Sequence, residues 1–456
     1  MPGVSVNVLT PAGMLGYGFP AKWFEKGLSL GPDVIAVDSG STDSGPHKLG
    51  TGAMTCSMEA YRKDIGLLLR ACAETSIPVF ISSAGGDGAD QHVDVFLQII
   101  SDIARDKGYR FKIAAIYSDQ DKQSLKAGLR SGRISPCGPV PELLEEEIDR
   151  ASTIVAQMGV EPYLKVLKEN DDVDIIVSGR TYDPVPISAL GILNGFNPGL
   201  AWHMGKIMEC GALCAEPSGK NIFGVLERDH FILEPLNPAE RCTSTSVAAH
   251  TLYEKSHPYL LQGPGGVLDV SRSTFAQLDE RRVKVSGSKF IPSRKYTLKL
   301  EGAKRIGYRS IFIAGVRDPI LIQHLDEVIE RVTGDVREYF SELGEDSYKM
   351  IFHLYGRNGV MGEFEPERQH LPKEVCVILE VAAPSQEIAS ALCSKARTEM
   401  LHCPYENRMA TAGNLAFPFT PLEIPLGEVC EFNVYHLMEV DDPVEPFRIK
   451  YVEVRS

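Results

Sequence analysis

Short apolar runs that end abruptly at small polar turns recur through the first half of this chain. Val34–Val37 leads into an acidic turn, and Val79–Ile81 leads into a glycine-rich one. Uninterrupted runs of this kind are typical of strands buried on both faces of a parallel sheet. Open sheets bind ligands at the carboxyl ends of such strands, so we expect function at one polar edge. The turns at that edge are Thr10–Gly13, Asp38–Gly45, Ser82–Gly88, Ser118–Asp121 and Ser178–Asp183.

Segments with helical periodicity lie between these runs. Apolar residues at helical spacing predict helices at Met58–Thr75 and Val93–Lys107, and one long helix at Pro141–Glu169. The alternation of strands and helices predicts an α/β fold in which a Rossmann-like parallel sheet is flanked by helices. We assign this first domain to residues 1–225.

The second half of the chain has a different pattern of predicted elements. Prolines punctuate shorter segments, and strand-like runs mix with helical ones, which predicts an α+β domain over residues 226–456. We expect this domain to pack over the same polar edge. Within it, Ser385 is the expected N-cap of a helix over Pro384–Met400.

Composition narrows the classes of partner. The 456 residues carry a net charge of −14, which argues against nucleic acid or an anionic membrane as a partner. No apolar stretch approaches the roughly 20 residues that cross a bilayer, and the N-terminus lacks signal-peptide features. The ten cysteines contain no CxxC pair and are expected to be free thiols. We therefore expect a cytoplasmic protein that binds a small molecule and forms a homo-oligomer.

Acidic residues at the strand ends are the first candidates for chemistry. Asp38 and Asp87 follow their strands almost directly, and we favour them as catalytic groups. Together with Asp43, they could also bind a divalent metal ion through oxygen. For any single residue, however, an ordinary role in capping or turn formation is the commoner one.

Two turns combine small residues in a way that suits an anionic ligand. Ser39, Gly40 and Ser41 form one, and Gly85 with Gly86 forms the other. Such turns allow backbone N–H groups to approach an anion, and we expect these residues to bind substrate. Neither they nor the glycines at 13–18 match the P-loop or dinucleotide patterns, so no nicotinamide or flavin is expected.

Gly179 and Arg180 form a more specific signal. An Arg directly after a buried strand can bind a carboxylate or phosphate through two parallel hydrogen bonds. We expect Gly179, Arg180 and Asp183 to contact substrate. An ion pair between Arg180 and Asp183, or another loop acid, is the alternative.

Two further residues complete the candidate set. His203 lies on a predicted helix with Glu209 and Cys210 and could be catalytic, although a residue of the core is the commoner outcome. Asn414 lies in a Gly-Asn turn rich in aromatic residues, which could form a wall of the substrate pocket.

In combination, these segments resemble the acyclic terpene utilisation (AtuA-like) family. The resemblance rests on Asp38–Asp43, Gly85–Asp87, Ser178–Asp183, His203 with Glu209–Gly211, and Gly413–Phe419. It implies cytosolic catabolism of branched, unsaturated carboxylic acids and their CoA esters. It implies no settled reaction and no assigned catalytic residues.

Three hypotheses follow for the function. The first is a lyase (hydratase or dehydratase) or isomerase that abstracts a proton next to a carbonyl, with Asp38 or Asp87 as base and Arg180 on a carboxylate. Backbone amides at Gly40 and Gly85–Gly88 would stabilise the enolate-like oxygen. The alternatives are a metal-assisted amide or ester hydrolase and a non-catalytic protein that binds an acyl intermediate or acts as a scaffold. We expect Thr10–Gly13 and Ser118–Asp121 to be mainly structural.

Overall fold

The computed structural model describes residues 5–367, 370–409 and 412–454. Contacts divide the chain into two units, one formed by Met1–Lys304 with Phe432–Ser456 and the other by Arg305–Glu431. This division differs from the boundary drawn at residue 225 from the sequence. The reason is that strands which follow residue 225 continue the sheet that begins at the N-terminus.

The elements of the described residues are numbered in chain order. The strands are β1 (Val6–Thr10), β2 (Val34–Asp38), β3 (Val79–Ser82), β4 (Phe111–Ile116), β5 (Ile134–Pro136), β6 (Thr153–Gln157), β7 (Ile175–Ser178), β8 (Ala215–Glu216), β9 (Ile222–Leu226), β10 (His230–Pro235), β11 (Arg241–Cys242), β12 (Leu260–Gly263), β13 (Gly266–Asp269), β14 (Thr274–Gln277), β15 (Val283–Ser286), β16 (Lys289–Pro292), β17 (Tyr296–Val316), β18 (Lys349–Tyr355), β19 (Val375–Ala383), β20 (Ile424–Val440) and β21 (Ile449–Val454). The helices are α1 (Ala21–Leu28), α2 (His47–Thr51), α3 (Met58–Thr75), α4 (Asp90–Lys107), α5 (Lys122–Arg130), α6 (Glu145–Arg150), α7 (Glu161–Glu169), α8 (Val185–Leu193), α9 (Pro198–Met208), α10 (Ser244–Thr251), α11 (Pro319–Gln323), α12 (Leu325–Tyr339) and α13 (Gln386–His402). Short 3₁₀ segments lie at Gly211–Cys214, Glu345–Ser347 and Gly362–Phe364.

A large mixed sheet dominates the first unit. Within the described residues it has ten strands in the order β14-β15-β10-β9-β1-β2-β3-β7-β4-β21. The central strands β1, β2, β3, β7 and β4 are mutually parallel, and the outer strands β9 and β21 join them antiparallel. The predicted fold class, a parallel sheet flanked by helices followed by an α+β half, is confirmed.

The apolar runs of the central strands are explained by burial on both faces of the sheet. All of β2 is buried, with Ile35 and Val37 on one face and Val34 and Ala36 on the other. The first face is covered by α3 and α4, and the second by α8 and α9. Alternate residues therefore enter different cores, and no position in such a strand can be polar until the strand ends.

The connections that follow two neighbouring strands lie on opposite faces of the sheet. β3 leads into α4 on one face of the sheet, whereas the adjacent β7 leads into α8 on the other. A crevice opens at the carboxyl ends of strands where connections diverge in this way. The turns after β3 and β7, which contain Asp87 and Arg180, flank that point.

The second unit is an antiparallel sheet with helices. Residues Tyr308–Val316 of β17 pair with β19, which also pairs with β18. Burial alternates along β19, so one face packs in the core that includes α12 and α13. Ser385 caps α13 as predicted, accepting a hydrogen bond from the amide of Ile388 at 3.3 Å.

The predicted long helix at Pro141–Glu169 is wrong. Helix α6 ends at Arg150, the strand β6 follows, and α7 begins only at Glu161. The β-branched run Thr153–Val155 pairs with residues 301–303 of β17, and this pairing overrides the surrounding helical pattern. No helix in the described ranges combines the length and apolar character needed to cross a bilayer.

Candidate functional site

Asp38 ends β2 and is 6% exposed. Its Oδ1 accepts a hydrogen bond from Ser82 Oγ at 2.6 Å, and its Oδ2 accepts one from the amide of Gly40 at 2.8 Å. Burial and the nearby carboxylate of Asp183 raise the pKa of Asp38 well above its ordinary value, against the opposing effects of Ser82, Arg180 and Gly40. The group therefore keeps its proton to a higher pH than a surface carboxyl does.

The turns after β2 and β3 meet closely. A Cβ added to Gly40 would lie 3.2 Å from the Cα of Gly86, and both glycines have positive φ. The convergence expected from the sequence is therefore present. The amides are only partly free, because Gly40 donates to Asp38, Gly86 to the Ser83 carbonyl and Gly88 to the Ala84 carbonyl.

A His–Asp pair lies immediately beyond this turn. Asp87 is fully buried, and its Oδ1 lies 2.6 Å from His92 Nδ1 on the first turn of α4. The other ring nitrogen of His92 lies 3.0 Å from the carbonyl oxygen of Gly52. Both ring nitrogens thus face acceptors, which favours the protonated imidazolium because both of its N–H groups can then donate. Burial disfavours the imidazolium, but the hydrogen bond to Asp87, its negative charge and the Gly52 carbonyl together outweigh burial and raise the pKa of His92.

The second oxygen of Asp87 has no protein partner. Asp87 Oδ2 is buried and accepts no hydrogen bond from the described residues. Two hydroxyl oxygens at the same edge share this condition in the described part of the chain: Thr10 Oγ1 and Ser39 Oγ. Buried polar atoms are normally satisfied, so such a concentration indicates a place where water or ligand binds.

Lys48 approaches this group from α2. A Cβ added to Gly86 would lie 3.4 Å from Lys48 Nζ. Burial lowers the pKa of Lys48, and the charge of Asp87 partly offsets this effect. No carboxylate in the described residues lies within ion-pair distance of its ammonium. Sequence reasoning missed both Lys48 and His92, although Lys48 follows the Asp38–Gly45 turn by only a few residues.

Arg180 is surrounded by acceptors from three directions. It is 1% exposed; its Nε donates to Glu301 Oε2 at 2.8 Å, and its Nη1 donates to Asp183 Oδ1 at 2.9 Å. Nη1 also donates to the Thr181 carbonyl at 2.9 Å. The structure thus contains the Arg180–Asp183 ion pair that the sequence left as an alternative. It adds a second carboxylate, Glu301, that the sequence analysis did not identify.

Glu301 lies on β17 opposite Val155 of β6 and is fully buried. Its Oε1 accepts from Thr42 Oγ1 at 2.8 Å and lies 2.6 Å from Lys299 Nζ. Burial opposes its ionisation, but the charges of Arg180 and Lys299 prevail and lower the pKa of Glu301 to about 2. Glu301 is therefore ionised, and its carboxylate holds the Arg180 guanidinium in position.

Ser118 connects the turns after β3, β4 and β7. Its hydroxyl donates to the Gly88 carbonyl at 2.7 Å and accepts from the amide of Arg180 at 2.8 Å. A Cβ on Gly179 would lie 2.4 Å from that hydroxyl oxygen, so only glycine fits there. The role of Ser118 is structural, as the sequence analysis expects for its turn.

The remaining candidates lie in different surroundings. His203 is fully buried, with Ser288 Oγ 2.6 Å from Nδ1 and Thr251 Oγ1 2.9 Å from Nε2, and burial lowers its pKa to about 3. Asp43 is exposed, and its Oδ2 accepts from Ser41 Oγ at 3.0 Å. Asn414 belongs to the second unit, where its amide donates to the carbonyls of residues 400 and 403 at 2.9 Å each.

The carboxylates proposed as metal ligands are not gathered around one point. Asp43 faces solvent beside Ser41, whereas Asp87 faces His92. Within the described residues, no group of three or more His, Cys, Asp or Glu side chains is arranged to bind a metal ion. The divalent metal stays a prediction, and we derive no chemical step from it.

Fold and site together define an α/β protein with buried titratable side chains at the carboxyl ends of the parallel strands of a mixed sheet. The profile of the acyclic terpene utilisation family protein AtuA matches residues 58–417, and the chain belongs to this family. The resemblance drawn from the strand-end turns is confirmed. No curated protein and no solved structure gives a significant match. Family membership implies a role in acyclic terpene utilisation, which is compatible with catabolism.

Proposed function

We propose that this protein is a lyase (hydratase or dehydratase) or an isomerase acting on a small branched or unsaturated carboxylate, or on its CoA ester. The observation that carries the proposal is the state of Asp87. One carboxylate oxygen is fixed by His92 at 2.6 Å, while the other is buried and without a partner in the described residues. A desolvated carboxylate oxygen of this kind is suited to accept a proton from carbon.

In the proposed step, Asp87 Oδ2 takes the proton from the carbon next to the substrate carbonyl. The electron pair of that C–H bond moves toward the carbonyl oxygen, which becomes enolate-like. Return of the proton to a conjugated carbon gives isomerisation. In dehydration, a neighbouring hydroxyl takes the proton of Asp38 and leaves as water with the electron pair of its C–O bond, while the enolate electrons form the new C=C bond. His92 acts as a positioning residue, since it donates to Asp87 Oδ1 and orients the carboxylate.

We assign Lys48 the role of stabilising the negative charge that develops on the carbonyl oxygen of the substrate. Its ammonium lies beside Gly86, and no described carboxylate neutralises it directly. The amides of Gly85 and Asp87 also have no acceptor among the described residues. A cation and backbone donors beside a base are the elements that stabilise an enolate oxygen.

Asp38 supplies the second acid–base group. Its raised pKa favours the protonated form, which can return a proton to substrate. Arg180, proposed from the sequence to hold the substrate carboxylate, is assigned a positioning role instead. Its Nε and Nη1 already donate to Glu301 and Asp183, and these contacts fix the loop beside Asp38.

Proton abstraction can be tested before the natural substrate is known. Wild-type protein is incubated in D₂O with a panel of branched unsaturated carboxylates, dicarboxylates and acyl-CoA esters, with and without EDTA, after thermal-shift screening for binding. We expect NMR to show deuterium entering the carbon next to the carbonyl, or its conjugated position. Asp87→Asn should retain the fold but lose at least ~100-fold in exchange rate.

The matched control is Asp171→Asn, because Asp171 is exposed in the loop between α7 and β7, at the amino end of that strand. This variant should exchange at the wild-type rate. Wild-type exchange in a folded Asp87→Asn protein would refute the assignment of the base. Binding of a ligand without any exchange or product would instead favour the non-catalytic alternative.

A further inference from the structure

A second group of buried polar side chains lies between the end of α9 and α10. Lys206 donates to Glu209 Oε1, and both side chains are almost fully buried. Glu209 Oε2 has no hydrogen-bond partner in the described residues, and neither does His250 Nε2 on α10. Glu209 is 6% exposed and His250 is 7% exposed. Two polar atoms this deeply buried require a partner that the described chain does not supply.

A second ammonium and two aromatic rings border these atoms. Lys255 Nζ lies 5.3 Å above the ring of Tyr182 and donates to its hydroxyl at 3.3 Å. Lys206 Nζ lies 5.7 Å from the ring centre of Tyr253, which stacks on His250 at 5.3 Å. We call Lys206, Glu209, His250 and Lys255 the Lys206 cluster.

The two lysines repel each other at this position. Burial lowers the pKa of Lys255, and the positive charge of Lys206 lowers it further. Glu209 and Asp183 offset part of this repulsion. Holding two ammonium groups in a partly desolvated pocket is unfavourable unless an anion joins them.

We propose that the Lys206 cluster binds a small anionic group, either a carboxylate or a phosphate. The ammonium groups of Lys206 and Lys255 donate to the anion through protons that Glu209 and Tyr182 do not use. Glu209, once protonated, donates from the carboxyl oxygen that now lacks a partner. This proposal does not rest on the reaction proposed at Asp87, so either can fail without the other.

Binding of the anion should depend on pH through Glu209. Burial raises the pKa of Glu209 to about 7, although Lys206 opposes this effect. An arriving negative charge favours the protonated carboxyl still more, so binding takes up a proton and is tighter at pH 6 than at pH 8. The other titratable or charged groups that act on Glu209 are Tyr182, Asp183, Lys206, Cys210 and Lys255. His250, Tyr253 and Glu254 lie beside Lys206 or Cys210.

The test is isothermal titration of the full chain with inorganic phosphate and, separately, with acetate. Measurement with acetate at pH 7.5, where acetate does not titrate, in two buffers of different ionisation enthalpy reports the proton uptake by Glu209. We expect saturable binding of at least one anion, and the preferred anion identifies the group as phosphate or carboxylate. Lys255→Met should weaken binding at least tenfold, equivalent to about 1.4 kcal/mol.

Two further variants separate binding from folding. Lys63→Met removes an exposed lysine of α3 and should leave the affinity unchanged. Glu209→Gln should still bind the anion but without proton uptake, a change that a purely structural role would not produce. The proposal is overturned if neither anion binds to wild type, or if Lys255→Met binds as tightly as Lys63→Met.

Discussion

Replacement of Glu301 by Gln tests whether the buried ion pair organises the site. The carboxylate is fully buried and accepts from Arg180 Nε, from Thr42 Oγ1 and from Lys299 Nζ. Gln has nearly the same shape but only one acceptor oxygen, and its NH₂ group must face one of these donors. Arg180 would also lose its fully buried counter-charge while remaining 1% exposed.

The magnitude can be worked out in two independent ways. Removal of one partner from a buried ion pair typically costs about 3–5 kcal/mol, since the other charge is left uncompensated. The fall in the pKa of Glu301 from 4.5 to about 2 corresponds to about 3 kcal/mol, at roughly 1.4 kcal/mol per tenfold change in proton affinity. The contact of Arg180 with Asp183 limits the loss, so we expect about 3 kcal/mol.

Tryptophan fluorescence during urea unfolding provides the assay. The chain has two tryptophans, Trp23 and Trp202, and both belong to the first unit, so the signal reports on the unit that contains Glu301. Glu74→Gln is the control, because Glu74 is exposed on α3 and its neutralisation should change stability by less than about 0.5 kcal/mol.

The pH dependence gives the sharper result for Glu301. Its pKa is lower in the folded state than in the unfolded one, so its stabilisation is present above about pH 4.5 and disappears as the pH falls toward 2. The difference between wild type and Glu301→Gln should therefore shrink across that window. A variant as stable as wild type at pH 7, or a difference independent of pH, would refute the reasoning.

Two further variants probe the neighbouring turn. His92 has a raised pKa in the folded state, so the stability it adds is complete below its ordinary pKa of 6.5 and is lost as the pH rises through the folded value. The free energies of unfolding of wild type and His92→Gln, measured in urea, should therefore converge at high pH. A difference that stays constant with pH would contradict the pairing with Asp87. Gly85→Ala places a Cβ 2.6 Å from the His92 ring at φ +73°, whereas Gly108→Ala meets open space at φ +71°. We expect about 1–2 kcal/mol of destabilisation for Gly108→Ala, and about 1–3 kcal/mol more for Gly85→Ala. Equal losses of stability in the two variants would show that the His92 ring moves aside at little cost.

The central sheet was predictable because its strands obey a simple physical rule. A strand buried on both faces must be apolar throughout, so β2, β3 and β7 stand out in the sequence together with the turns that end them. Strand β6 was missed because Thr153–Val155 is short and lies between two helical segments. Its pairing with residues 301–303 of β17 is a long-range contact that no local pattern reveals.

The residues of the candidate site also divide into those that a local sequence pattern reveals and those that it does not. Asp38, Asp87 and Arg180 were found because each follows its strand directly, and the sheet brings strand ends together. His92 and Lys48 were missed, since each lies on a helix where a polar residue carries no signal of its own. Glu301 was missed because it is a single acid within the strand run Tyr296–Val316, and its partner lies 121 positions away in the chain.

Glu301 and Lys48, which the sequence did not predict, determine which cation is available to a ligand. The sequence analysis assigned substrate binding to Arg180, yet Glu301 and Asp183 occupy its Nε and Nη1, which makes Arg180 the counter-charge of the acidic loops. Lys48 is half-buried beside Gly86, with its pKa lowered by burial and without a described carboxylate at ion-pair distance. An anionic substrate gains most from a cation that is not already neutralised. In the proposed reaction, Lys48 is therefore the cation assigned to the developing negative charge, while Arg180 keeps the loops in place.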